Sequence, residues 1–98
     1  MIRMTVTDIE SSELYSGGGN PRWVVVTILR QGIPYSVFLL VVTRKDDTRN
    51  AVVKRIVCEA SYHPVVHGPV RKQLVDWAQL VALRHDRGRH SIGLEVEL

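Results

Sequence analysis

Two runs of this chain, Trp23–Leu29, interrupted only by Thr27, and Val37–Val42, are apolar at consecutive positions rather than at alternate ones. A strand with one face in water alternates apolar and polar residues, so a strand apolar on both faces needs cover on both sides. In the first run Trp23, Val25, Thr27 and Leu29 share one face, and Val24, Val26 and Ile28 share the other. In the second, Val37, Leu39 and Val41 oppose Phe38, Leu40 and Val42. Gln31-Gly32-Ile33-Pro34 reads as a tight turn joining them, the second strand running Tyr35 to Arg44. The pair therefore forms the middle of a sheet with more apolar surface than one layer of helix can cover.

The remaining elements follow from periodicity. Residues 2–9 alternate weakly, with Ile2, Met4 and Val6 on one side, and predict a half-buried strand near an edge. Residues 16–21, Ser-Gly-Gly-Gly-Asn-Pro, form a loop before the first apolar run. Between Asp46 and Tyr62, Val52, Val53, Ile56, Val57 and Ala60 fall on one side of a helical wheel, with Asp46, Asp47 and Thr48 as caps. The pattern V-V-x-x-I-V does not alternate and favours a helix, against the strand preference of its β-branched residues. Val70–His85 is a second helix, with Val70, Leu74, Trp77, Ala78 and Val81 in one stripe, Pro69 at its start and Gly88 past its end. Trp23 and Trp77, both on apolar sides of their elements, are expected in the core. In the tail Ile92, Leu94, Val96 and Leu98 alternate with Ser91, Gly93, Glu95 and Glu97, which predicts a closing strand pointing the first set inward.

The expected fold is α+β: a small antiparallel sheet in the order β-β-β-α-α-β, packed by one or two helices in a single domain spanning 1–98. Ninety-eight residues with 45% apolar and 23% charged composition are ordinary for one folded domain. The helices split between the faces, or the sheet curls, or another chain covers the second apolar face.

The longest apolar run falls far short of the roughly 20 residues a membrane helix needs. The N-terminal MIRMTVTDIE carries charge where a secretion signal needs an apolar stretch. With Cys58 as the lone cysteine no internal disulfide can form, so a reducing, cytoplasmic setting is the simplest expectation.

Catalytic and metal motifs are weak throughout. The histidines fall as His63-x3-His67 and His85-x4-His90, but Pro64 breaks the first pair's geometry and Gly88 the second's. Cys58 has no base one helical turn away, and the adjacent His85 and Asp86 do not face each other on a helix. Gly17-Gly18-Gly19 leads into a strand with no lysine after it, unlike a phosphate loop. No catalytic residue, metal or cofactor is expected, and an enzyme is the least favoured class.

The charge is uneven. Residues 1–43 balance, residues 44–90 sum to +5 and residues 91–98 to −2; ten of thirteen basic residues are arginine, suited to carboxylate and phosphate partners. The expected function is a small non-catalytic interaction protein that binds and blocks or bridges another macromolecule, the form of many short accessory or phage-encoded inhibitors. Its partner is another protein or a second copy, as a homodimer, met through Leu80, Leu83, Arg84, Arg87 and Arg89. The alternative is a nucleic-acid-binding module using Arg71, Lys72, Arg84, His85, Arg87, Arg89 and His90. A helix-turn-helix fits poorly, because the connection between the predicted helices is about seven residues and holds two prolines.

Overall fold

A computed structural model describes residues 2–13, 18–44, 46–58, 68 and 70–97. Five strands form one antiparallel sheet: β1 (Arg3–Ser11), β2 (Asn20–Arg30), β3 (Ile33–Arg44), β4 (Asp47–Cys58) and β5 (Glu95–Glu97), in the spatial order β4-β3-β2-β1-β5. One helix, α1 (Arg71–Asp86), packs on a single face, over β4, β3 and β2, and the sheet curls around it.

The α+β class and antiparallel sheet match the sequence expectation, but the order among the described residues is β-β-β-β-α-β. The predicted helix over 46–62 is instead β4, with residues 59–62 outside the described residues. The reason is a bulge. Leu40 pairs with Arg55 and Val41 with Val53, so Lys54 is an extra residue on its strand. The insertion turns both Val53 and Ile56 toward the helix, at a spacing of three that imitates a helical stripe. Val52 and Val57 are thrown onto the opposite face. Asp46 and Asp47 cap no helix: Asp46 pairs with Arg44, while the Asp47 carboxylate accepts from the Arg49 backbone N–H at 3.2 Å and from Asn50 Nδ2 at 2.8 Å. These bonds hold the Asp47 carboxyl below its ordinary range, the Asn50 contact most of all.

A second bulge lies in β1, where Val6 pairs with Val26 but Asp8 with Val25. Thr7 is the inserted residue and spends its hydroxyl on the Val25 carbonyl at 3.2 Å. Here too the inward residues, Val6 and Ile9, are three apart. Bulges increase strand bending and twist, which accounts for the curl. On β4, an edge strand, the bulge and Lys54 also blunt an edge that could template pairing with another chain.

The β2–β3 turn is shorter than expected. Arg30 pairs with Ile33 across Gln31 and Gly32 alone, at φ 51° and 78°, the positive values that a two-residue hairpin of matching twist requires. Pro34 therefore lies inside β3, but beyond Val37–Cys58, the last β3–β4 pair among the described residues.

The core lies between the sheet's inner face and α1. Met4, Val6, Val24, Val26, Ile28, Val37, Leu39 and Val41 meet Leu74, Ala78, Val81 and Ala82, all essentially removed from water. Trp77 packs against this cluster as expected, and Cys58 fills space beside it. Trp23 does not, because its parity places it on the outer face, between Leu40 and Glu10. The tail also departs from clean alternation. Leu94 and Val96 pack inward, but Ile92 and Gly93 form a turn that leaves Ile92 exposed; Glu95–Glu97 form the strand paired with β1, and Val6 of β1 donates to the Leu94 carbonyl and accepts from the Gly93 N–H.

Candidate functional site: a basic cleft and an apolar face

The inner apolar field ends where α1 ends. Arg22 has the same parity on β2 as Val24, Val26 and Ile28, so its side chain points inward with the core, and the residue is 3% exposed. Its Nη1 donates to the Asn20 carbonyl at 2.6 Å. Its Nη2 donates to Thr43 Oγ1 at 2.6 Å and to Asp86 Oδ2 at 2.8 Å. The Thr43 hydroxyl in turn donates to Asp86 Oδ2 at 3.2 Å. β2, β3 and the last residue of α1 are thereby joined through three side chains.

Burial pushes the Arg22 guanidinium below its ordinary value, and the Asp86 charge partly offsets this. Removing a guanidinium from water is costly unless a counter-ion and hydrogen bonds replace the lost hydration. Asp86 and two oxygen acceptors do so at the terminal nitrogens. Arg22 Nε is buried and has no hydrogen-bond partner among the described residues.

A cleft of about 860 Å³ opens over this cluster. Ile9, Gly19 and Leu83 form part of its wall, and Arg22, Arg44, Arg49, Arg87, His85 and Asp86 supply its ionisable groups. Arg44 is held by Asp46 through two contacts, Nε to Oδ1 at 3.1 Å and Nη2 to Oδ2 at 3.0 Å. Neither Arg49 nor Arg87 makes a salt bridge among the described residues. Gly19 closes one side: with φ +86°, it approaches so near that a Cβ would sit 2.6 Å from the Thr43 carbonyl oxygen.

The residues singled out from sequence are split by this geometry. His85, Arg87 and Leu83 reach the cleft. Arg84 turns to the chain after the helix, its Nε donating to the His90 carbonyl at 3.4 Å. Arg89 and His90 are exposed in that same segment. Arg71 and Lys72 lie at the other end of α1, roughly 20 Å away at 1.5 Å per residue, with Lys72 paired to Asp76 at 2.8 Å. One compact patch of all seven basic positions is therefore not formed. Leu80 stands alone, 66% exposed, while Leu83 packs against the core. His63 and His67 lie outside the described residues; among the described ones no group of three or more His, Cys, Asp or Glu side chains could hold a metal ion. No helix there is long and apolar enough to cross a membrane.

Sequence reasoning missed Arg22, Thr43, Arg44 and Arg49. The signal for two of them was parity. Arg22 continues the Val24-Val26-Ile28 stripe, and Thr43 continues Val37-Leu39-Val41. A charged residue in phase with a core stripe implies a buried partner. Arg49 depended on β4, which the helical assignment had concealed.

The sheet's outer face is the second feature. Cross-strand pairing sets it out in transverse rows: Arg55-Leu40-Trp23-Glu10 and Val57-Phe38-Val25-Asp8, each running from β4 to β1. Phe38 is 36%, Val57 41% and Val52 44% exposed, while Trp23 and Val25 are half-buried and Leu40 is buried at 7%. Asp8 and Glu10 crowd each other at the β1 end. A side-chain hydrogen bond with Asp8 and that residue's charge hold the Glu10 carboxyl above its ordinary value. The face thus has an apolar centre, a cation at one margin and two carboxyls at the other.

A scan against protein-family models, a search of curated proteins and a search of solved structures return no match to this chain.

Proposed function

We propose that this chain is a small non-catalytic interaction protein that works by covering its outer sheet face with another protein chain, in the first instance a second copy of itself. The observation that carries this reading is the pair of transverse rows, with apolar side chains between Arg55 on one margin and Asp8 and Glu10 on the other. Exposed apolar residues grouped on one surface favour a partner, whereas single ones need none.

Charge order argues for a second copy. Two sheets packed face to face about a two-fold axis parallel to the strands bring the β4 margin of each against the β1 margin of the other. Arg55 then meets Glu10 and Asp8 of its mate twice, once on each side of the axis, as an isologous interface demands. The apolar centres of the two faces interdigitate between these pairs, as in a two-sheet sandwich. Crowded carboxyls on the isolated face are relieved by the incoming cation. A dimer built this way leaves the basic cleft on the opposite side of each sheet, open to a further partner.

Light scattering coupled to size exclusion tests the reading. Wild-type protein is expected to run at twice the chain mass at micromolar concentration. Phe38→Asp, with Val57→Asp as a second variant, is expected to give a folded monomer with unchanged circular dichroism. A wild-type monomer at all concentrations, or a dimer indifferent to both substitutions, would overturn the proposal.

A further inference from the structure

We propose that the cleft over Arg22, Arg44, Arg49, Arg87 and His85 is a binding site for a phosphate group, independent of the sheet-face reading.

Three observations converge on it. The first is the concentration of guanidiniums from separate elements: β2 supplies Arg22, β3 Arg44, β4 Arg49 and the end of α1 Arg87, all lining one cavity. Arg presents a planar fork of donors that matches phosphate oxygens, and such charge-assisted bonds are about twice as strong as neutral ones. The second is that neither Arg49 nor Arg87 makes a salt bridge among the described residues, Arg49 feeling the Asp47 charge only at longer range. The third is Arg22 Nε, a buried donor with no partner there, in a residue that lines the cavity. Buried polar groups are nearly always satisfied, so a buried N–H left over at a cationic cleft calls for an acceptor.

The opposing charges are Asp86, Asp46, Asp47, whose carboxylate is near enough to Arg49 and Arg44 to feel both charges, and the carbonyl end of α1, which carries roughly half a negative charge. Asp86 already serves Arg22 and Thr43, and Asp46 serves Arg44. The last carbonyls of the helix are closed by backbone N–H groups of Arg87, Gly88 and Arg89. Four guanidiniums therefore leave the cleft net positive.

Size narrows the ligand. A volume of about 860 Å³ lies in the range of small-molecule sites and would hold a nucleotide, while a duplex would not enter it. The phosphate comes either from a free nucleotide or from the backbone of a single strand threaded through the cleft.

The test uses the full chain with inorganic phosphate, ATP and a short single-stranded oligonucleotide as probes, followed by calorimetry and by the Arg22 Nε–Hε resonance in heteronuclear NMR. At least one probe is expected to bind and to move that resonance. The surface double variant Arg49→Ala/Arg87→Ala is expected to weaken binding roughly tenfold or more, equivalent to the loss of about 1.4 kcal/mol, without altering the fold. Saturation by ATP identifies a nucleotide site. Binding by the oligonucleotide alone, with steep salt dependence, identifies a strand backbone as the source. No binding of any probe at millimolar concentration would overturn the proposal, as would binding that the double variant leaves unchanged.

Discussion

Asp86→Ala is expected to destabilise the fold by about 3 kcal/mol, whereas Arg22→Met is expected to cost only about 1 kcal/mol. The asymmetry follows from where each charge sits. The Arg22 side chain is 4% exposed and that of Asp86 23% exposed. Taking away the carboxylate strands a guanidinium in the apolar interior, with Thr43 and the Asn20 carbonyl as its remaining partners. Taking away the guanidinium leaves a carboxylate that still accepts from Thr43 and can turn to water. Methionine fills most of the vacated volume beside Val41, its neighbour across the β2–β3 pairing. The double variant should be less damaged than Asp86→Ala alone, because no buried charge then remains to be compensated. Urea unfolding of the three variants measures this directly. If Arg22→Met proves the more damaging, the cluster is held by packing rather than by charge compensation.

Gly19→Ala carries the second large effect, about 3 kcal/mol. At φ +86° an L-residue is strained by about 1–2 kcal/mol before any contact is considered. The new Cβ would then lie 2.6 Å from the Thr43 carbonyl oxygen and 3.2 Å from Val42 Cγ1. The first of these is backbone of β3, which cannot rotate away, so the strand itself must shift. Thr43 is the link between Arg22 and Asp86, and the shift propagates into that cluster. Gly18→Ala provides the internal control. Its φ is +80° but a Cβ there meets nothing within 4 Å, so only the conformational strain of about 1–2 kcal/mol should appear. Equal losses at the two positions would show that the approach to Thr43 is not tight.

The middle of the fold was legible because two adjacent strands apolar on both faces admit few arrangements. The helix was legible from Leu74, Trp77, Ala78 and Val81, whose spacing only α1 satisfies. β4 was misread for a specific reason. A bulge at Lys54 breaks the period of two and places Val53 and Ile56 at a helical interval, while the β-branched composition still pointed to strand. The same device in β1, at Thr7, made its alternation look weak. Local pattern cannot mark a bulge, since the extra residue is defined only by the partner strand. The basic cleft was hidden by the same error. Arg49 belongs to it through β4, and Arg22 through a parity that extends the core stripe one step before Val24. The concentration of charge at and after the end of α1 pointed to Arg84, Arg89 and His90, which lie in sequence beside the cleft residues His85 and Arg87 but do not line it among the described residues.

The interaction reading rests on a face whose charges run from Arg55 to Glu10 across an apolar centre, and a charge-exchange experiment tests it most directly. Arg55→Glu makes both margins acidic, and Asp8→Lys with Glu10→Lys makes both basic. Each variant alone should be a monomer by light scattering, since its homodimer would set like charges together. Mixed in equal amounts, they should form a one-to-one heterodimer in which both margins are again complementary, resolved from homodimers by native mass spectrometry. Monomers that stay apart on mixing, or homodimers as strong as the wild type's, would contradict the proposed pairing of the two sheet faces.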